Sequence, residues 1–211
     1  MLSPLKWLVL ISAIFSLIAL LALIFRTFAF GKKPAHAEYR NSGARGIAYA
    51  FGRGMMPWEK ESTKKHLISY CAGIVYHISI FVAFIYLFLL IFAAYLPAQS
   101  LLLFRIALVA GLCCGIGLLF KRMISPLVRQ LSHPDDFASN FIVDLFLFVA
   151  LVRTFNARAE SFFFIMAIIL FLYIPLGKIR HCFFFFYART LFGLFYGRRG
   201  VLPSDSARSG R

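Results

Sequence analysis

Five apolar stretches set the limits on what this chain can fold into. Residues 8–25, 67–95, 101–120, 141–152 with their flanks, and 162 to about 187 approach or exceed the roughly 20 residues a helix needs to cross ~30 Å of hydrocarbon. Hydrophobic residues make up 61% of the 211, far above a soluble globular domain. The first stretch, preceded only by Lys6, could pass for a signal peptide. Its apolar core is too long, however, and no A-x-A-like cleavage site follows, so it counts as a helix. The expected fold is an all-α integral membrane bundle of five transmembrane helices, occupying residues 1–197. A flexible basic tail, 198–211, follows it. No internal repeat is present.

A formal charge of +15 could suggest nucleic acid, but the positions of the cations point to membrane topology instead. Nine Lys/Arg fall between Arg26 and Lys65, three more are Lys121, Arg122 and Arg129, and seven run from Lys178 to Arg211. The opposite side holds only Arg153 and Arg158, with Arg105 near the start of the third stretch. The positive-inside rule then places the N-terminus outside and the C-terminus in the cytoplasm of a multi-pass inner-membrane protein. The cytoplasmic loop 27–65 carries GRGMMPWEKESTKK, with Ser62 and Thr63 available to cap the second helix. Two readings of this loop are open: a solvated basic segment at the lipid surface, or a protein-docking segment that buries Met55, Met56 and Trp58. The four cysteines, Cys71, Cys113, Cys114 and Cys182, lack CxxC spacing, so neither a zinc site nor a disulfide framework is indicated.

The five histidines carry the chemistry. His36 and His133 fall in loops. On a continuous helical rise, His77 lies about 27 Å below the outer end of the second helix. On the same basis His181 lies about 30 Å below that face on the fifth, and His66 roughly 43 Å down, outside the hydrocarbon. Ionisable residues at membrane depth signal function by default. Two imidazoles facing each other from separate helices suit the axial positions of a low-spin haem b, and Lys178 and Arg180 would face its anionic propionates. The plainer reading is that His77 bonds within the bundle and His181 belongs to a basic interfacial band. Histidine-bound zinc competes poorly, because no carboxylate or thiolate completes the ligand set.

YHISIF at 76–81, KRMISPLVRQLSHPDDF at 121–137 and FLYIPLGKIRH at 171–181 together resemble the gamma subunit of respiratory nitrate reductase and its relatives. These are five-helix membrane cytochromes b, and the resemblance covers about residues 66 to 190. The family pattern sets a second histidine ten residues after the first on helix two, and two histidines eighteen apart on helix five. The four ligate two haems. By the resemblance His77 and His181 form the cytoplasm-side pair, while the outer pair is replaced by Leu87 and Phe163. One haem b is therefore expected. The loop GRGMMPWEKESTKKH is similar to a subset of these subunits that pair with heterodisulfide reductase-like iron–sulfur proteins. Cys113-Cys114-Gly115 lies within an apolar run, so it does not stand for the CCG motif of those soluble partners.

The resemblance implies electron transfer between membrane quinone or menaquinone and a cytoplasmic iron–sulfur partner. The alternative is a haem-free membrane anchor or assembly subunit. His66, Lys64 and Lys65 fit proton handling at the cytoplasmic mouth, or simple anchoring of helix two at the headgroups. Asp144, read as four residues into helix four, is expected to pair with a cation near a helix end or to serve a quinone site. A transporter is disfavoured, since Arg105 and Asp144 are the main polar groups on helices one, three and four.

Overall fold

The computed structural model describes residues 3–29, 38–59, 66–93 and 96–202. His36, Ser62, Thr63, Lys64, Lys65 and the tail from 203 onward lie outside the described residues. Among those described, the chain is helical with no strand. The helices are α1 (Pro4–Phe28), α2 (Gly43–Phe51), α3 (Leu67–Ile91), α4 (Ala98–Ile124), α5 (Pro126–Gln130), α6 (Pro134–Phe155), α7 (Glu160–Tyr173) and α8 (His181–Arg198). α1, α3, α4 and α6 are each long and apolar enough to cross a membrane. α7 and α8 reach that standard only together, as a broken pair, which makes four or five spans.

That break corrects the expected unbroken helix from 162 to about 187. α7 stops at Tyr173, whose carbonyl accepts from the N–H groups of both Leu176 and Gly177. Pro175 has no N–H with which to continue the helix, and Gly177 leaves room for the Tyr173 ring, which a Cβ there would strike. A 3-10 turn, Lys178–Arg180, then leads into α8. These residues do not rise 1.5 Å each, so the depth deduced for His181 from a continuous helix does not hold. The fourth span also begins earlier than expected, at Pro134. The His133 side chain accepts from the Asp135 N–H, and the Asp136 carboxylate accepts from the His133 N–H at 2.7 Å. A capping box with proline in the first turn starts a helix here.

The chain divides into two compact units. The first comprises Met1–Ala19 and Ile68–Ile179, the second Leu20–Leu67 and Arg180–Arg211. In the first, α1 shows the inversion expected in lipid: Ser12 and Ser16 are buried beside Val9, while Trp7, Ile11, Ile14, Phe15 and Ile18 are exposed. The Lys6 ammonium caps the far end of α3, donating to the Leu90 carbonyl at 2.8 Å. Gly111 and Gly115, one helical turn apart on α4, let α3 and α6 approach. A Cβ on Gly111 would collide with Ser79, and one on Gly115 with Asp144 and Tyr76. Ser79 uses that closeness to donate across the interface to the Ala107 carbonyl at 2.7 Å, the small-residue packing typical of membrane helices.

In the second unit, part of what the sequence presents as a loop is the helix α2, laid on α8. Gly46 meets Gly193 and Gly197 so closely that a Cβ would strike backbone atoms of α8. The N–H groups of Arg40 and Asn41 donate to the Arg198 carbonyl at 2.8 and 3.2 Å, satisfying an orphan acceptor at the end of α8. Arg189 reaches back to the Gly54 carbonyl and the Met55 sulfur. Met55 is thereby partly covered within this chain, whereas Met56 and Trp58 remain 40% and 61% exposed.

Candidate functional site

The polar centre of the first unit is built from three helices. Tyr76 of α3 donates its hydroxyl to Asp144 Oδ1 of α6 at 2.7 Å. One turn earlier on α6, the Asn140 amide donates to Asp144 Oδ2 at 2.8 Å and to the Gly115 carbonyl of α4 at 3.3 Å. Tyr76 and Asp144 are almost wholly buried, 8% and 6% exposed. Because α6 begins at Pro134, Asp144 stands in its third turn, about 15 Å along the helix. The expectation of a helix-end cation pair is therefore wrong. Asp144 is held by a phenol and an amide, and among the described residues no cation forms an ion pair with it.

His77 follows Tyr76 in sequence and so turns to another face of α3, where it is exposed. Its ring lies edge-on to the Tyr76 ring, with centroids 6.3 Å apart. Its Nδ1 is 2.6 Å from the Gly73 carbonyl one turn back. A carbonyl only accepts, so Nδ1 is the donor in this contact. Lys178 bridges to Asp136 through its ammonium and donates its backbone N–H to Asp135 at 2.7 Å. Tyr173 also donates to Asp135, so the turn after α7 is tied to the start of α6.

Arg180 and His181 belong to the second unit. His181 opens α8 and is exposed. Arg180 lines a groove of about 440 Å³ together with Leu23, Arg26, Thr27 and Phe184. Two guanidinium groups beside apolar walls suit an amphipathic anion. The four predicted site residues thus divide evenly, His77 and Lys178 in one unit, Arg180 and His181 in the other. His66 is exposed just ahead of α3, and His133 has the capping role described above.

At the positions where the resemblance would set an outer histidine pair, Leu87 and Phe163 are fully buried. Phe163 stacks on Tyr86 at 5.8 Å and leans on Phe146 at 5.2 Å, and Phe84 continues the cluster through Phe146 to Phe171. Offset and tilted rings at these spacings form a well-packed aromatic core. The other isolated charges have local partners. Arg105 donates to the Thr154 carbonyl at 2.6 Å and covers the Phe155 ring, and Arg153 pairs with Glu160 at 2.6 Å.

Sequence reasoning missed Tyr76, Asn140 and Arg26. The four-residue spacing of Asp136, Asn140 and Asp144 was the available signal for one polar face on α6, and Gly111-x3-Gly115 for a close helix contact. Nothing in the sequence pairs Arg26 with Arg180. Among the described residues, no three His, Cys, Asp or Glu side chains gather into a metal-binding group. No family model, curated protein or solved structure matches the chain.

Proposed function

We propose that the protein is a cytochrome b subunit of a respiratory membrane complex, carrying one haem b between His77 and His181. It would pass electrons between the quinone pool and a cytoplasmic iron–sulfur subunit. The observation that carries this reading is the contact of His77 Nδ1 with a backbone carbonyl. An Nδ1–H bonded to the Gly73 carbonyl at 2.6 Å is the outer-shell arrangement that presents Nε2 to a metal and holds the ring in one orientation. The donor set fits the group in a second respect. Arg26 and Arg180 share one groove with apolar walls, which suits two propionates better than Arg180 alone.

In this reading His77 and His181 hold the haem iron, and the arginines hold the edge of the ring. The apolar walls of that groove, Leu23 and Phe184, keep water from it. A bound haem supplies the one-electron chemistry; the chain supplies position and potential. The packed Leu87–Phe163 region supports a count of one. The Lys/Arg asymmetry supports an inner-membrane protein with its N-terminus outside.

The test is haem content and the redox-difference spectrum of the purified chain, wild type and the His77→Ala and His181→Ala variants. About one haem per chain, lost in both variants, is the expected result. About two per chain would overturn the count. A spectrum unchanged in either variant would overturn that ligand. No Soret band in the wild type, purified from cells supplied with haem, would leave the haem-free anchor as the function.

A further inference from the structure

Among the described residues Asp144 is the only aspartate or glutamate that is buried, and it sits in the middle of a membrane-spanning helix. A carboxylate there is costly unless fully hydrogen-bonded. Its surroundings do more than satisfy one charge state. The Tyr76 hydroxyl has two acceptors within reach, Asp144 Oδ1 at 2.7 Å and the Asn140 backbone carbonyl at 3.3 Å. With Asp144 ionised, the phenol donates to Oδ1 and the Asn140 amide to Oδ2. With a proton on Oδ1, that new O–H donates to the Tyr76 oxygen, and the phenol hydrogen turns to the Asn140 carbonyl. Both forms are fully bonded without moving a heavy atom.

A row of polar residues also leads from the site toward the start of α6. Asp136, Asn140 and Asp144 recur every fourth residue and share one face of α6 over about 12 Å of rise. Gly115 leaves the room beside them, since any Cβ there would collide with Oδ1 and the Tyr76 ring. We propose that Asp144 is a proton-exchange site, whose carboxyl takes up and releases one proton while the Tyr76 phenol rotates between its two acceptors. On uptake the water or hydronium that donates loses one O–H bond and Asp144 gains one; no other covalent bond changes.

The charged and titratable neighbours leave this role to Asp144. α3 presents Tyr76, with His77 on the adjoining face. The cations nearest along α4, Lys121 and Arg122, are engaged by Ser69 and by Asp136 with Ser132. On α6, Asp135 and Asp136 are held by Tyr173 and Lys178. α7 brings Glu160, paired with Arg153, and Tyr173. The proposal does not depend on whether haem is bound.

The chain contains four aspartates, so 13Cγ-aspartate labelling of the full-length protein in lipid nanodiscs gives a readable NMR titration. One resonance, absent in Asp144→Asn, should move between the carboxylate and carboxylic-acid positions as pH is changed. Its titration should be displaced in Tyr76→Phe. If Asp144→Asn does not fold, the contact of the wild-type resonance with the Tyr76 ring protons identifies it. A resonance that stays in one form across the pH range in which the protein remains folded would overturn the proposal and leave a fixed structural carboxyl. Haem content, measured on the same samples, reports separately on the cytochrome reading.

Discussion

Glycine brings helices together in both units, and the two contacts do different work. In the second unit Gly46 lies against Gly193 and Gly197, and the atoms a Cβ would strike are backbone. In the first unit Gly115 faces Asp144 and Tyr76, so the atoms in the way are side chains. One contact joins a short surface helix to α8 with nothing between them. The other clears a space and fills it with a hydrogen-bonded carboxyl. Small residues alone therefore do not reveal function; what stands opposite them does. The sharpest way to break the first contact is Gly46→Val. Backbone cannot yield as a side-chain tip can, so the cost should be about 3 kcal/mol, with α2 released from α8. Limited proteolysis should then cut within 38–52 where the wild type resists, together with a lower Tm. A variant as resistant as the wild type would mean the close contact contributes little.

At the polar centre the largest effect should come from Asp144→Leu. It removes the nearer acceptor of the buried Tyr76 hydroxyl and of the half-buried Asn140 amide, at about 1–3 kcal/mol, whereas Asp144→Asn should recover most of that loss. A thermal unfolding series in one detergent separates the two, and equal losses would show that volume rather than hydrogen bonding is at stake. Gly115→Ala should cost less than Gly46→Val, about 1–2 kcal/mol, because Tyr76 and Asp144 can shift. It should also abolish the Tyr76–Asp144 bond. Smaller again is Ser79→Ala. Its bond to the Ala107 carbonyl at 2.7 Å is of a kind that averages about 0.6 kcal/mol between membrane helices.

The contrast also explains what could be read from the chain. Four of the spans were legible, because runs such as LISYCAGIVYHISIFVAFIYLFLLI leave a helix no alternative in lipid. The end of the fifth run was not. PLG at 175–177 was visible, but whether proline bends a membrane helix or stops it depends on who satisfies the released groups. Here the Tyr173 carbonyl takes the N–H groups of Leu176 and Gly177, and the Asp135 carboxylate takes that of Lys178. α2 was not legible because GARGIAYAF is too short and glycine-rich to be helical by itself; its helix is formed against α8. His77 was legible as an ionisable group in an apolar run. Asp144 was legible as a charge in an apolar run, with Asn140 one turn back on the same helix, but its bond to Tyr76 was not, because Tyr76 comes from another helix whose register no single sequence fixes.

The smallest expected effect lies outside both contacts, on the segment that follows α2. Arg53 and Glu59 are paired at 2.6 Å, with the Arg53 side chain 62% exposed, and Tyr49 donates to the other Glu59 oxygen at 3.0 Å. Exposed pairs contribute about 0–1 kcal/mol, so Arg53→Gln should leave Tm almost unchanged. The Tyr49 phenol is raised above its ordinary value, chiefly by partial burial and then by the Glu59 hydrogen bond. A group whose pKa is raised on folding adds stability below its unfolded pKa, and that stability is lost as pH climbs through the folded value. The wild type should therefore lose a little stability at alkaline pH, above the ordinary tyrosine range, that Tyr49→Phe does not lose. Parallel alkaline profiles for the two proteins would mean that this segment is not held by the Tyr49–Glu59 bond.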